Sequence, residues 1–187
     1  MRKILVLFLI LVLPRPALTQ TVTFSAGFAK DFDIEFVEIG SPGNEPDFDE
    51  RFFGDEKFFG AVDYVYSISK FEASCEGLNV FAAPGIACDR DEVPAVIALP
   101  PILEYVNWLN QIQGYPAAYD FTIGPLGNVN LGFERNPEAR FFLPTADEWH
   151  KAAYYDPVTE VYYEYATGSD EPPTNGSGDQ PGTVVVG

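Results

Sequence analysis

The sequence predicts an α+β chain with few regular elements and long loops. Three observations carry that expectation. Phe32-Asp-Ile-Glu-Phe-Val-Glu-Ile39 alternates apolar and polar side chains, the period of a half-buried strand. Ile102, Tyr105, Val106, Leu109 and Ile112 recur at helical spacing behind Pro100-Pro101, and Thr145-Ala-Asp-Glu148 has the form of a helix capping box. Between these stretches the 187 residues, 16 of them Gly and 16 Pro, show no sustained period and read as loops.

Residues 1–19 read as an export signal. Arg2 and Lys3 precede the ten unbroken apolar residues 4–13. A membrane-spanning helix needs about 20. Pro14 and Pro16 stop the run, and Ala17 and Thr19 supply a small-x-small pattern, so cleavage is expected near Thr19/Gln20. No membrane span remains after cleavage. The expected organisation is a signal over 1–19, one folded domain over 20–175 and a flexible Gly-, Pro- and Ser-rich tail over 176–187.

Composition excludes several functions. The chain carries 28 acidic against 11 basic residues, and the processed chain 28 against 8, a net charge of −20. Nucleic-acid binding rests on Lys and Arg neutralising phosphate, so no nucleic acid is expected as a partner. One histidine, His150, cannot build a site that needs two or three imidazoles, and two cysteines cannot build a four-Cys zinc or iron–sulfur site. Cys75 and Cys88 lie close in sequence. In an oxidising compartment they are disulfide candidates, with free thiols and a reactive pair as the alternatives.

Along the chain, Ser41-Pro-Gly-Asn44 turns after the first strand. The acidic stretch 45–56, with Asp47, Asp49, Glu50 and Asp55, reads as a solvated loop; its spacing does not match a calcium-binding loop. Residues 60–72 read as a second β segment with Val62, Tyr64, Tyr66 and Ile68 on one face. Residues 73–93 read as a loop pinned at its cysteines. The helix behind Pro100-Pro101 ends at Gly114, and Trp108 beside its stripe is expected in the core. In the capped helix Trp149, Ala152 and Ala153 are expected to form the packed side, with Asp147 and Lys151 an i,i+4 pair; Asp156-Pro157 ends it. A Tyr-rich strand follows over 161–165. His150 has no nucleophile or carboxylate at readable spacing, so a general base or ligand is not expected there.

Phe141-Phe-Leu-Pro-Thr-Ala-Asp-Glu-Trp-His-Lys-Ala-Ala-Tyr-Tyr-Asp-Pro157 resembles the signature of the formylglycine-generating enzyme, or sulfatase-modifying factor, family, in an exported bacterial subgroup. Val37-Glu-Ile-Gly-Ser-Pro-Gly-Asn44, Gly60-Ala-Val-Asp-Tyr64, Ile68-Ser-Lys-Phe-Glu72, Tyr105-Val-Asn-Trp-Leu-Asn110 and Thr167-Gly-Ser-Asp170 match that subgroup in order, from about Phe36 to Asn175. The resemblance implies a C-type-lectin-like fold and a copper-dependent oxidation of a sulfatase cysteine by two cysteines. In the family those cysteines and the copper and calcium ligands follow this block, and this chain carries no counterpart. Cys75 and Cys88 precede it. No catalytic, cofactor-binding or metal-binding residue is therefore carried over.

The expected function is that of an exported domain, periplasmic, cell-surface or secreted, related to the sulfatase-modifying factors and without oxidase activity. The alternative is a lectin-like binding module for a glycan or a protein. A third possibility is redox work by Cys75 and Cys88.

Overall fold

The structure is a computed structural model, described for residues 9–11, 19–27, 30–48, 58–82, 99–124, 129–131, 134–175 and 183–184. In chain order its elements are β1 (Ile10–Leu11), β2 (Thr19–Phe24), β3 (Phe32–Ile39), β4 (Asp47–Phe48), β5 (Phe58–Phe59), β6 (Tyr66–Ser69), α1 (Cys75–Ala82), α2 (Leu99–Ile112), β7 (Phe121–Ile123), β8 (Val129–Leu131), β9 (Phe141–Phe142), α3 (Ala146–Tyr154), β10 (Tyr155–Asp156), β11 (Val161–Tyr162), β12 (Thr174–Asn175) and β13 (Thr183–Val184). The chain is thus mixed α+β, with few helices and small, mostly antiparallel sheets. Packing divides it into two units: Met1–Glu38 with Tyr66–Leu143, and Ile39–Val65 with Pro144–Gly187.

The first unit holds a five-stranded sheet in the order β2-β3-β6-β1-β9. β3 covers the residues whose alternation predicted it. It pairs antiparallel with β2, Thr19 opposite Val37 and Phe24 opposite Phe32. β6 is shorter than the β segment expected over 60–72, and all four of its residues are buried. An inner strand buries both faces, so period two disappears from its exposure. Tyr64, expected on the same face as Tyr66, precedes the strand and is exposed.

β1 comes from the apolar run that reads as the centre of an export signal. Ile10 lies opposite Ile68 of β6 on one side and Phe142 of β9 on the other. Leu9 N donates to Ser69 Oγ at 3.0 Å, and Ser69 N donates to Leu9 O at 2.8 Å. Leu9 and Ile10 have 1% and 0% of their surface exposed. The boundary expected at Thr19/Gln20 falls at the start of β2.

Residues 75–82, expected within a loop, are helical. Cys75 and Leu78 of α1 are buried. Gly77 lies so close to α2 and β3 that a Cβ there would sit 2.6 Å from Tyr105 Oη and 2.9 Å from the Phe32 ring. A glycine that weakens helix propensity is thus kept by packing. Cys88, the other disulfide candidate, lies outside the described residues.

α2 begins at Leu99, so Pro100 and Pro101 occupy the first turn, where N–H groups lack helical partners. Its stripe Ile102, Tyr105, Val106 and Leu109 is buried, and Ile112 is half-buried. Gly114 follows at φ +82°, the left-handed closing position. Trp108, expected in the core, is half-buried and stacks on Phe32 with ring centroids 6.1 Å apart. Phe24 joins this cluster against Phe32 and Phe141, at 5.2 and 5.1 Å.

Asparagines of this unit replace strand neighbours. Asn110, fully buried, donates from Nδ2 to Val106 O and Phe141 O, both at 2.9 Å. Its Oδ1 accepts Arg140 N at 2.7 Å and Phe141 N at 3.0 Å. Asn107, one helical turn back, accepts Tyr119 N and donates to Tyr119 O at 2.9 and 2.8 Å.

The second unit holds α3 and the short pairs β4–β5, β10–β11 and β12–β13. The last pair is parallel and includes two residues of the expected flexible tail. α3 starts as the capping box predicts: Thr145 Oγ1 accepts Glu148 N at 3.1 Å, and Glu148 Oε2 accepts Thr145 N at 2.6 Å. Its packed side differs from the expected one. Glu148, His150 and Lys151 are buried, while Trp149, Ala152 and Ala153 are half-buried. The expected Asp147–Lys151 pair is not formed. Asp147 Oδ1 accepts Gly60 N at 2.9 Å, and Lys151 Nζ donates to Ser41 O at 2.7 Å.

Replacing Asn110 strands two backbone donors and one acceptor of Arg140 and Phe141 away from water. Asn110→Leu is expected to lower stability by about 3–5 kcal/mol, read as a drop in the denaturant midpoint.

Candidate functional site

The second unit carries a cleft of about 420 Å³, lined by residues 41–46 with Tyr155, Glu160 and Tyr162. It is built by polar groups that bind backbone. Asn44 Nδ2 donates to Gly60 O at 2.7 Å, Tyr162 Oη at 2.5 Å and Glu45 O at 3.1 Å, and its Oδ1 accepts Val62 N at 3.3 Å. Tyr162 Oη in turn donates to Gly60 O at 2.9 Å. Gly60 sits at φ +92°, and a Cβ there would lie 2.8 Å from the Tyr162 ring. Any side chain at 60 would displace the tyrosine that closes the cleft.

Lys151 reaches the same loop from α3. It is buried, and its ammonium donates to Ser41 O at 2.7 Å and points toward Val62 O at 3.5 Å. Burial pulls its pKa below the ordinary lysine value, and the charge of Asp63 opposes that shift. Ser41 has φ +53°, and Glu160 has φ +58°. Among the described residues these are the two non-glycine positions in the left-handed region, and both line this cleft. Such strain persists where surrounding contacts enforce it and clusters at binding sites.

The wall opposite the loop is the β10–β11 hairpin. Asp156 organises its turn: Oδ1 accepts Val158 N at 2.9 Å, Oδ2 accepts Thr159 Oγ1 at 2.7 Å, and its carbonyl accepts Glu160 N at 2.8 Å. The Thr159 hydroxyl, followed by the Val158 N–H, holds the Asp156 carboxyl below its ordinary value. Tyr155 and Tyr162 lie opposite each other across the hairpin, rings 5.0 Å apart. Burial pushes both hydroxyls upward. Asp47 adds to the shift at Tyr162, and Glu160 and Asp156 add to it at Tyr155.

Beneath this wall His150 is fully buried, and its Nε2 donates to Asp47 Oδ2 at 2.9 Å. Its ring packs against those of Tyr154, Tyr162 and Phe59 at 4.8, 5.4 and 6.0 Å. Asp47 belongs to the stretch read as a solvated loop; here its β4 position brings it to an imidazole that had no carboxylate at readable spacing. The pair braces the cleft from behind, and His150 does not line it.

Cys75 is not part of this site. It is buried in the first unit and is not free. Among the described residues no group of three or more His, Cys, Asp or Glu is placed to hold a metal ion. Asn44, Lys151, Tyr155, Glu160 and Tyr162 were not expected as site residues. The one local signal was the Pro42-Gly43-Asn44 turn, which reads as loop punctuation rather than as a binding surface.

No protein-family model matches the chain, and neither the curated proteins nor the solved structures contain a match. Among the described residues no helix is long and apolar enough to cross a membrane.

The buried hydroxyls of Tyr105 and Tyr162 tie stability to alkaline pH. A raised folded-state pKa means stability that is present below the ordinary tyrosine value, about 10, and lost as pH rises past it. A 295 nm titration is expected to show a group of tyrosines, Tyr105 and Tyr162 among them, ionising only as the chain unfolds. Tyr162→Phe is expected to reduce that group by one.

Proposed function

We propose that this chain acts by binding rather than by turnover, as an exported domain of the sulfatase-modifying-factor type on a lectin-like scaffold, and that the cleft of the second unit recognises a glycan. The observation that carries the reading is the cleft lining. Tyr155 and Tyr162 offer ring surface, Glu45 and Glu160 offer carboxylates, and a strained, cross-bonded loop holds them in place. Aromatic faces against sugar C–H groups and carboxylates against hydroxyls are the usual chemistry of carbohydrate recognition, and a preformed site lowers the ordering cost of binding. Cys75 and the His150 imidazole lie outside the lining.

The family assignment is supported by the block from Phe141 to Pro157, whose Thr145 and Glu148 make the cap that the motif implies. Export is supported by the charge and hydropathy of residues 1–19. Cleavage near Thr19/Gln20 would remove β1, so processing and sheet stability are linked in this reading. The Cys75–Cys88 disulfide belongs to the same proposal, since an exported chain matures in an oxidising compartment.

Full chain applied to an immobilised glycan library is expected to bind at least one polysaccharide. Tyr155→Ala should abolish that binding and Tyr155→Phe, which keeps the ring, should retain it. Silence across the library ends the glycan reading. Intact mass of protein recovered from outside the cytoplasm is expected to start at or near Gln20 and to increase by two hydrogens on reduction. A mass that still includes Met1 overturns the export reading, and no change on reduction overturns the disulfide.

A further inference from the structure

One buried hydroxyl of the first unit, that of Tyr105, makes no hydrogen bond to another described residue. Tyr105 has 1% of its surface exposed, and its ring packs on Phe81 and Trp108 with centroids 5.6 and 5.9 Å apart. Burial pushes its pKa upward, with no hydrogen bond to oppose the shift. Tyr105 lines a pocket of about 120 Å³ whose other walls come from β1, β3 and the chain between Ser69 and Ser74. Leu9, Phe32, Ile34, Phe71 and Ala73 make that wall largely apolar. The other polar side chains of the lining are engaged or reach water. Ser69 Oγ accepts Leu9 N at 3.0 Å, Asp33 accepts Thr23 Oγ1 at 2.6 Å, and Glu35 holds the Lys70 ammonium at 3.0 Å. Glu72 and Ser74 are half-buried. Tyr105 has no such access, so only an occupant of the pocket can satisfy its hydroxyl. One water needs about 10–15 Å³ of such space, and an apolar cavity of about 150 Å³ holds a benzene ring. The pocket is thus of ring size, with aromatic walls from Phe32 and Phe71 and one hydroxyl free to donate or accept.

We propose that this pocket takes a small uncharged aromatic ring carrying one oxygen, a phenol, with its hydroxyl bonded to Tyr105 Oη and its ring against Phe32. A plain hydrocarbon of the same size leaves the Tyr105 hydroxyl unmatched. An anion meets Asp33 and Glu72 in the lining, with Lys70 already committed to Glu35. The site belongs to the first unit and does not rest on the glycan reading of the second.

The test is ligand-observed NMR with phenol, benzene and benzoate at about pH 7, where phenol is neutral and benzoate charged. It uses the full chain, residues 1–187, because Leu9 is part of the wall. Phenol is expected to bind saturably at about millimolar concentration, roughly five- to tenfold more tightly than benzene, the size of one hydrogen bond, with no saturable binding of benzoate. Tyr105→Phe keeps the ring and removes the hydroxyl. It should bring phenol down to the affinity of benzene and leave benzene unchanged. Ala73→Leu, which fills the pocket from its wall, should abolish both. If Ala73→Leu fails to fold, Tyr105→Phe decides alone, since retained benzene binding shows its pocket intact. Equal binding of phenol and benzene, phenol affinity that survives Tyr105→Phe, or saturable binding of benzoate overturns the proposal. So does binding of neither ring, the result a pocket filled by water alone would give.

Discussion

A backbone N–H or C=O taken out of water needs a partner, and strands two residues long supply few. That constraint governs both units. In the first, Asn110 provides both a donor and an acceptor to Phe141, and so does for β9 what a further strand would have done from that side. In the second, Asn44 knits Glu45, Gly60 and Val62 to the Tyr162 hydroxyl. A side-chain amide is suited to this because it carries the same donor and acceptor as a peptide unit, on a stem short enough to be held by its own element. Without these groups the long loops would have to stay hydrated.

The same economy explains the cleft. Its loop is held by side chains that bind carbonyls, so the polar groups nearest the cavity are already engaged. Lys151 shows how far this goes. A buried ammonium is costly, and here it is compensated by a hydrogen bond to a carbonyl of the loop it positions, with the charge of Asp63 adding to it. What remains for a visitor is the periphery: two tyrosine rings and two acids.

Much of the fold was legible where the cause is local. β3 follows from eight alternating residues. α2 follows from its stripe, its prolines and Gly114, and α3 from a cap whose two bonds span three residues. Legibility ended where the deciding partner is distant. Gly77 and the absence of a stripe hid α1, whose stability comes from Tyr105 and Phe32. The buried face of α3 was misassigned because Lys151 and His150 look like surface residues until Ser41 and Asp47, about a hundred residues earlier, are brought to them. The cleft depends on an Asn44–Tyr162 bond between positions 118 residues apart, and no pattern within either segment announces it. The fold class was therefore open to reading, and the site was not.

β1 sets a schedule as well as a contact. Ile10 leaves the ribosome well before its sheet neighbour Phe142 is made. At roughly 5–20 residues per second, the strand waits on the order of ten seconds for β9 to exist. During that wait the most apolar stretch of the chain is open to whatever binds it first. Insertion into the sheet thus competes with any other contact that segment makes, and the speed of translation through residue 142 decides how long the contest lasts.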